Sequence, residues 1–158
     1  MARKTFFSFH HKADNWRAGQ VRNSWVTQDR KAAGFFDSAE WEKVKKKNDS
    51  DIEKWIDEQL NGTSVTVVLI GEKTHGRKWI NYEIKSSWKR GNGLLGIYIH
   101  QIKDQDKKTS SKGKNPFDQW TFKIADKVIS IPVYDWEDND GYKNMGDWIE
   151  KAAKVRGK

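Results

Sequence analysis

The sequence predicts an α/β fold in which a mainly parallel, doubly wound sheet of about five strands is flanked by helices. Two observations support this prediction. Short apolar runs alternate along the chain with segments whose apolar residues recur every three or four positions. The most hydrophobic run, residues 64–70, is apolar at most positions, as expected for a strand that is buried on both faces of a parallel sheet.

The strands predicted from these runs cover residues 5–9, 64–70, 94–99 and 128–133. Pro132 indicates that the last is an edge strand, because proline has no N–H to donate within a sheet. A further short strand is expected near residues 34–36, in a stretch without a clear period.

Helices are predicted from four apolar sets: Ala18, Val21 and Trp25; Ile52, Ile56 and Leu60; Ile80, Ile84 and Trp88; and Met145, Trp148, Ile149 and Ala152. Asp14 is the expected N-cap of the first helix, and Ser50 with Glu53 forms a capping box for the second. Gly62 follows the end of the second helix, and the third is expected over about residues 77–89.

Length and composition narrow the class of protein. At 158 residues, the chain is expected to form a single domain, residues 1–158, with its own core. It has no cysteine, no signal-peptide-like apolar stretch near its start and no apolar run of the ~20 residues that cross a bilayer. We therefore expect a cytoplasmic protein without disulfides or contact with a membrane.

The charge balance favours an anionic partner. Lys and Arg number 30 against 22 Asp and Glu, which gives a net charge of +8 and suits a dinucleotide pyrophosphate, a nucleic acid or an acidic protein surface. Nucleic acid is not favoured, because its binding predicts basic residues gathered on one face, whereas the lysines here spread over residues 43–47, 103–114 and the tail. The polar, breaker-rich residues 107–116 are expected to form a surface loop; a lid is the less favoured alternative.

Glu83 is the candidate catalytic residue. It lies on the predicted third helix, which follows the most hydrophobic strand, and ligands of doubly wound sheets bind beyond the carboxyl ends of such strands. Trp79 lies one turn before Glu83 on the same helix face. A single glutamate on a helix is more commonly exposed to solvent and has no special role. This ordinary interpretation is the alternative to a catalytic Glu83.

Residues that follow the first strand are expected to form the opposite wall of the crevice in a flavodoxin-like strand order. They are Ser8, Phe9, His10, His11 and Asp14, and Ser8 with nearby backbone N–H groups is a candidate for holding phosphate.

Basic residues of the predicted first helix could serve the same crevice. Arg17 and Arg22 are candidates for a pyrophosphate, although either could equally pair with a surface carboxylate. No metal site is expected: His10 and His11 are adjacent and diverge on a strand, no acidic pair lies at ligand spacing, and the chain has no thiolate.

Two segments have the glycine spacing of nucleotide-binding motifs but lack the other features that those motifs require. Residues 91–96 have the glycine spacing of the dinucleotide fingerprint but lead into a strand instead of leaving one. Residues 71–76 have phosphate-loop spacing, but Arg77 and Lys78 stand where Lys-Ser or Lys-Thr is required. We therefore interpret residues 91–96 as a tight turn and residues 71–76 as a polar connection between a strand and a helix.

Several linked strings resemble the bacterial TIR-like family that includes the ThsB proteins of the Thoeris antiphage system. The strings are FFSFH at residues 6–10, VRNSWV at 21–26, TSVTVVLIG at 63–71, WINYEI at 79–84 and KGKNPFD at 112–118. The likeness runs from about residue 4 to residue 118 and follows the strand and helix order predicted above.

The resemblance implies a flavodoxin-like, TIR-like fold and an enzyme that consumes NAD as its substrate, without a further cofactor. Glu83 falls on the catalytic glutamate of the Trp-x-x-x-Glu string, and Phe7, Phe9 or Trp79 could stack on nicotinamide or adenine. The implied product is a cyclic ADP-ribose type messenger that activates a separate effector protein after a phage-derived trigger. TIR-like chains also form homo-oligomers, and a non-catalytic scaffold is the alternative function.

Overall fold

A computed structural model describes residues 4–26, 32–33 and 38–158 of the chain. The strands are β1 (Thr5–Ser8), β2 (Ala32–Ala33), β3 (Val65–Ile70), β4 (Gly93–Tyr98), β5 (Phe122–Ile124), β6 (Lys127–Ile129) and β7 (Val133–Asp135). The helices are α1 (His11–Val26), α2 (Ser38–Val44), α3 (Asp49–Leu60), α4 (Lys78–Lys89) and α5 (Gly141–Val155), with a 3₁₀ turn at Pro116–Gln119.

The main sheet is parallel and has the strand order β2-β1-β3-β4-β7. The chain therefore builds outward from β1 to β2, returns to the other side of β1 with β3, and continues to β4 and β7. This reversal beside β1 is the topological switch point at which doubly wound sheets bind ligands. The predicted fold class, α/β with a flavodoxin-like sheet of about five strands, is confirmed.

Alternation along the strands divides the core between two faces of the sheet. Phe7, Val67 and Ile97 face α1 and α5 in one cluster. On the opposite face, Phe6 packs with α3, and Val68 packs with α4. Ser8 shares the side of Phe6 because the side-chain period of a strand is two residues, and this alternation turns its hydroxyl toward α4.

The predicted fourth strand is wrong in its bounds. Within residues 128–133, the first part belongs to β6, which forms an antiparallel hairpin with β5. Ala125 and Asp126 take positive φ angles of 51° and 64°, which is the backbone of a tight two-residue hairpin turn. The strand that joins the main sheet begins at Val133, and Pro132 immediately precedes it. The strand expected near residues 34–36 lies outside the described residues.

Two predicted helix caps are also wrong. The backbone N–H of Asp14 already donates to the carbonyl of His10 at 2.8 Å, so Asp14 lies inside α1. His10 is the capping residue there, because its Nδ1 accepts from the N–H of Ala13 at 3.0 Å. Helix α3 is capped by Asn48, whose Oδ1 accepts from the N–H of Asp51 at 2.8 Å, in place of the predicted box at Ser50.

Residues 103–115 form a connection without helix or strand, as predicted for residues 107–116, and follow β4. In the described part of the chain, no helix is both long enough and apolar enough to cross a membrane.

Candidate active site

A cleft of about 370 Å³ opens beside the carboxyl end of β1. Three parts of the chain line it: residues 9–12 at the start of α1, Trp41 and Lys45 on and after α2, and residues 77–80 with Glu83 on α4. The cleft thus lies at the switch point of the sheet, and its volume is in the range of ordinary small-molecule sites.

Glu83 lies at the inner end of this cleft. Only 6% of its surface is exposed, and the hydroxyl of Ser8 donates a hydrogen bond of 2.6 Å to its Oε1. Helix geometry turns Glu83 and Ile84 inward on the buried face of α4, and the alternation of β1 turns Ser8 toward them. The sequence analysis expects Ser8 on the wall opposite Glu83; in the structure the two side chains are hydrogen-bonded, and Ser8 is buried and is not part of the cleft lining.

Burial governs the protonation of Glu83. Desolvation raises the pKa of this carboxyl group to about 8, and the hydrogen bond from Ser8 opposes the shift by favouring the charged form. A carboxyl group that changes charge near neutral pH and faces a cleft is typical of catalytic sites.

Aromatic rings form the walls of the cleft. The ring centroids of Phe9 and His11 are 4.2 Å apart, and those of His11 and Trp41 are 5.2 Å apart, which gives a continuous wall beside α1. Trp79 lines the cleft from α4, with its ring 5.9 Å from that of Tyr82. Burial, aided by His10, lowers the pKa of His11 to about 4, so that wall carries no charge at neutral pH.

Four cations also line the cleft, and the sequence prediction missed them. They are Lys12, Lys45, Arg77 and Lys78. Arg77 and Lys78 directly precede Trp79 in the sequence, so the predicted start of the third helix was the available signal. Lys45 had no comparable signal, because its place depends on how α2 packs beside α1.

Some predicted substrate-binding residues lie away from the cleft. Phe7 is fully buried on the opposite face of the sheet, where its ring packs edge-on against Trp25 at 6.1 Å. Phe9, His10 and Trp79 do line the cleft. Arg22 is exposed on α1 and is not part of the lining.

Asp14 is buried behind the loop that follows β3. Thr74 Oγ1 accepts from the N–H of Gly71 at 2.8 Å and lies 3.5 Å from Asp14 Oδ2. Desolvation raises the pKa of Asp14 to about 6, partly offset by the charge of Arg17. Asp14 therefore joins α1 to the β3–α4 connection and does not line the cleft.

Arg17 fixes the connection after β4. Its Nε donates to the carbonyl of Ile102 at 2.6 Å, and one terminal nitrogen donates to the carbonyl of Lys108 at 2.9 Å. Arg17 is buried, and Asp104 lies 3.8 Å from the same terminal nitrogen. These contacts direct the guanidinium away from the cleft, so the predicted pyrophosphate contact is not supported by its position.

A second cavity of about 200 Å³ lies at the opposite end of the sheet, beside Trp88, Leu94 and Val155. Among the residues that the structure describes, its lining contains no carboxylate, so it offers no group comparable to Glu83. Within residues 4–26, 32–33 and 38–158, no three His, Asp or Glu side chains come together as a metal-binding group.

Comparison with known proteins agrees with the fold. Residues 6–104 match the family described as "Thoeris protein ThsB, TIR-like domain". The whole chain also aligns with ThsB1 of Bacillus cereus (strain MSX-D12), a protein whose name proposes that it is a cyclic ADP-D-ribose synthase. The two are 40% identical over 165 residues, which cover 100% of this chain and 86% of that relative. The chain therefore belongs to the family of Thoeris ThsB proteins with a TIR-like domain.

Proposed function

We propose that the protein is an enzyme that consumes NAD and makes a cyclic ADP-ribose type signal. The observation that carries this proposal is the position of Glu83, a buried carboxyl group bonded to Ser8 at 2.6 Å on the inner end of an aromatic cleft. The name of the 40% identical relative, a proposed cyclic ADP-D-ribose synthase, supports the same reaction.

The first step breaks the bond between the nicotinamide nitrogen and the ribose C1′. The bonding electrons return to the pyridine ring, nicotinamide leaves as a neutral molecule, and positive charge develops on the ribose. The Glu83 carboxylate stabilises this charge at close range, where the surrounding low dielectric strengthens the attraction. The cationic nicotinamide ring of bound NAD also favours the ionised form of Glu83.

The second step closes the ring. A nucleophilic atom of the same ADP-ribose unit bonds to the ribose C1′, and one proton leaves to solvent, so NAD yields a cyclic product, nicotinamide and a proton. Cyclisation competes with hydrolysis, and the walls made by Phe9, Trp41 and Trp79 favour it by excluding water and stacking on the bases.

In this proposal the product acts on a separate effector protein in defence against phage. The enzyme works in the cytoplasm, which suits a chain without cysteine, and a phage-derived trigger starts the reaction. Assembly into homo-oligomers is part of the proposal, since TIR-like domains act through contacts between copies.

The test is mass spectrometry of small molecules from phage-infected cells that express either the native chain or Glu83→Gln. We expect a new ADP-ribose species only with the native chain, because the amide has the shape of the carboxyl group but cannot become an anion. Identical products and normal protection with Glu83→Gln would overturn the proposal and favour the non-catalytic scaffold. Thermal unfolding of the purified variant establishes that its fold is retained.

A further inference from the structure

The cationic rim is defined here as Lys12, Lys45, Arg77 and Lys78. Its members come from α1, the end of α2 and the start of α4, yet all line the cleft that holds Glu83. Glu83 is the one carboxyl group among the described residues that line the cleft, and its raised pKa leaves it largely neutral at pH 7. The mouth of the cleft is therefore strongly positive.

The same positive charges act on His10, which also lines the cleft. Burial is the largest cause of the lowered pKa of His10, and Arg77, Lys73 and Lys12 lower it further by repelling the protonated ring. His10 and His11 therefore stay neutral at pH 7, so the aromatic wall adds no charge beside the cationic rim.

Helix α4 adds backbone donors at the same place. Arg77 is at its N-cap position, but the Arg77 side chain makes no capping bond; its Nε donates instead to the carbonyl of Lys73 at 2.9 Å. The first turn of α4 lines the cleft through Lys78, Trp79 and Ile80. Backbone N–H groups at a helix start attract anions, and here they accompany lysine and arginine side chains.

Two rim lysines have acidic partners outside the cleft. Lys78 forms a hydrogen-bonded ion pair with Asp49, and both side chains are well exposed, at 63% and 64%. Lys45 Nζ lies 2.8 Å from Glu42 Oε1. Exposed pairs of this kind are weak, so an anion with two adjacent charged groups can displace both carboxylates.

We propose that the cationic rim binds the pyrophosphate of a dinucleotide, and that Asp49 and Glu42 hold Lys78 and Lys45 until that ligand arrives. This inference rests on the proposed function, because it names the part of NAD that the rim recognises. It assigns the pyrophosphate to residues that line the cleft, in place of Arg17 and Arg22, the candidate arginines of the sequence analysis.

The test compares two pairs of substitutions with equal loss of charge. Lys45→Gln with Lys78→Gln removes two rim cations, and Lys43→Gln with Lys85→Gln removes two exposed lysines from α2 and α4 that do not line the cleft. Calorimetry of the purified full chain with inorganic pyrophosphate, ADP-ribose and nicotinamide riboside measures affinity without turnover.

We expect the rim pair to weaken binding of pyrophosphate and ADP-ribose by about tenfold or more, and the control pair by less than about threefold. Nicotinamide riboside, which has no phosphate and carries a positive charge, should lose no affinity in either variant. Asp49→Asn with Glu42→Gln should tighten pyrophosphate binding, since it removes the competing partners. Equal losses in the rim and control pairs would overturn the inference, because only the overall charge would then matter.

The two proposals fail in different ways. If the two rim substitutions weaken pyrophosphate binding but infected cells make no ADP-ribose product, the rim is confirmed as a pyrophosphate site and the proposed reaction is wrong. If NAD is consumed while the two rim substitutions leave the KM for NAD and the affinity for ADP-ribose unchanged, the reaction is confirmed and the role of the rim is wrong.

Discussion

The Ser8 hydroxyl and Glu83 Oε1 lie 2.6 Å apart, although 75 positions separate the two residues in the chain. The hydrogen bond ties the end of β1 to the buried face of α4. It also directs a donor at the group whose charge the proposed reaction requires. Ser8 therefore orients the Glu83 carboxyl group and favours its ionised form, against the larger effect of burial.

Removing this donor should change the pH dependence of the reaction. Ser8 favours the ionised form of Glu83, so Ser8→Ala should raise the pKa of Glu83 and move the rising limb of the kcat profile to higher pH. At a fixed pH below that pKa, each increase of about one in the pKa lowers the ionised fraction of Glu83 roughly tenfold. The rate should fall by the same factor. Steady-state rates from pH 6 to 9 measure the effect. Ser87→Ala is the matched control, since Ser87 is also buried but bonds to Thr66 at 2.7 Å; equal profiles for both variants would contradict the prediction.

The pH dependence of stability should identify Glu83 as a buried acid. Its folded pKa of about 8 exceeds the ordinary value of 4.5, so between these values the folded chain retains a proton that the unfolded chain loses. The free energy of unfolding should therefore fall as pH rises from 5 to 8. The raised pKa of Asp14, about 6, also makes the free energy of unfolding fall as pH rises to that value.

Urea unfolding at pH 5, 6.5 and 8 tests this sign. Glu83→Gln should lose less stability than the native chain over that range, because glutamine does not titrate. Parallel curves for the two proteins would show that Glu83 is ionised in the folded state throughout.

Gly71 should tolerate no side chain while Asp14 is present. A Cβ at Gly71 would overlap the Asp14 carboxylate, so Gly71→Ala should destabilise the protein by roughly 1–3 kcal/mol. Combining it with Asp14→Ala should cost less than the sum of the two single changes, because the overlap is removed. Gly19→Ala is the control: nothing lies within 4 Å of its added Cβ, and alanine suits a helix. Additive losses in the double variant would refute this account.

Arg17 should govern the accessibility of the connection after β4. Arg17→Met removes two hydrogen bonds to the carbonyls of Ile102 and Lys108, whereas Arg22→Met changes an exposed residue of the same helix. Charged hydrogen bonds contribute about 1.5–3 kcal/mol each, so cleavage by trypsin within residues 103–114 should quicken several-fold in the first variant alone. Equal cleavage rates would mean that other contacts hold this segment.

Much of the fold was predictable because local patterns and long-range packing agree. The apolar run at residues 64–70 and the helical set Ile80, Ile84 and Trp88 have periods that match β3 and α4. The hairpin of β5 and β6 was missed because its tight turn uses Ala125 and Asp126, which carry no glycine signal for positive φ.

The site was only partly predictable for a related reason. Strand order and the helical period of α4 predicted that Glu83 faces the crevice, and Glu83 lines the cleft, whereas Ser8 is buried, is not part of the lining and reaches the site only through its hydrogen bond to Glu83. The direction of a long side chain depends on tertiary partners, and for Arg17 these are carbonyl groups 85 and 91 positions away. Sequence spacing contains no information about such partners, which is why the pyrophosphate candidates changed.

The distance along the chain between Ser8 and Glu83 also determines when the protein can begin to work. During synthesis, β1 leaves the ribosome long before β3 and α4, and its parallel pairing with β3 must close a loop of more than 50 residues. A polypeptide that stalls before α4 therefore has the first aromatic wall but no carboxylate to complete it.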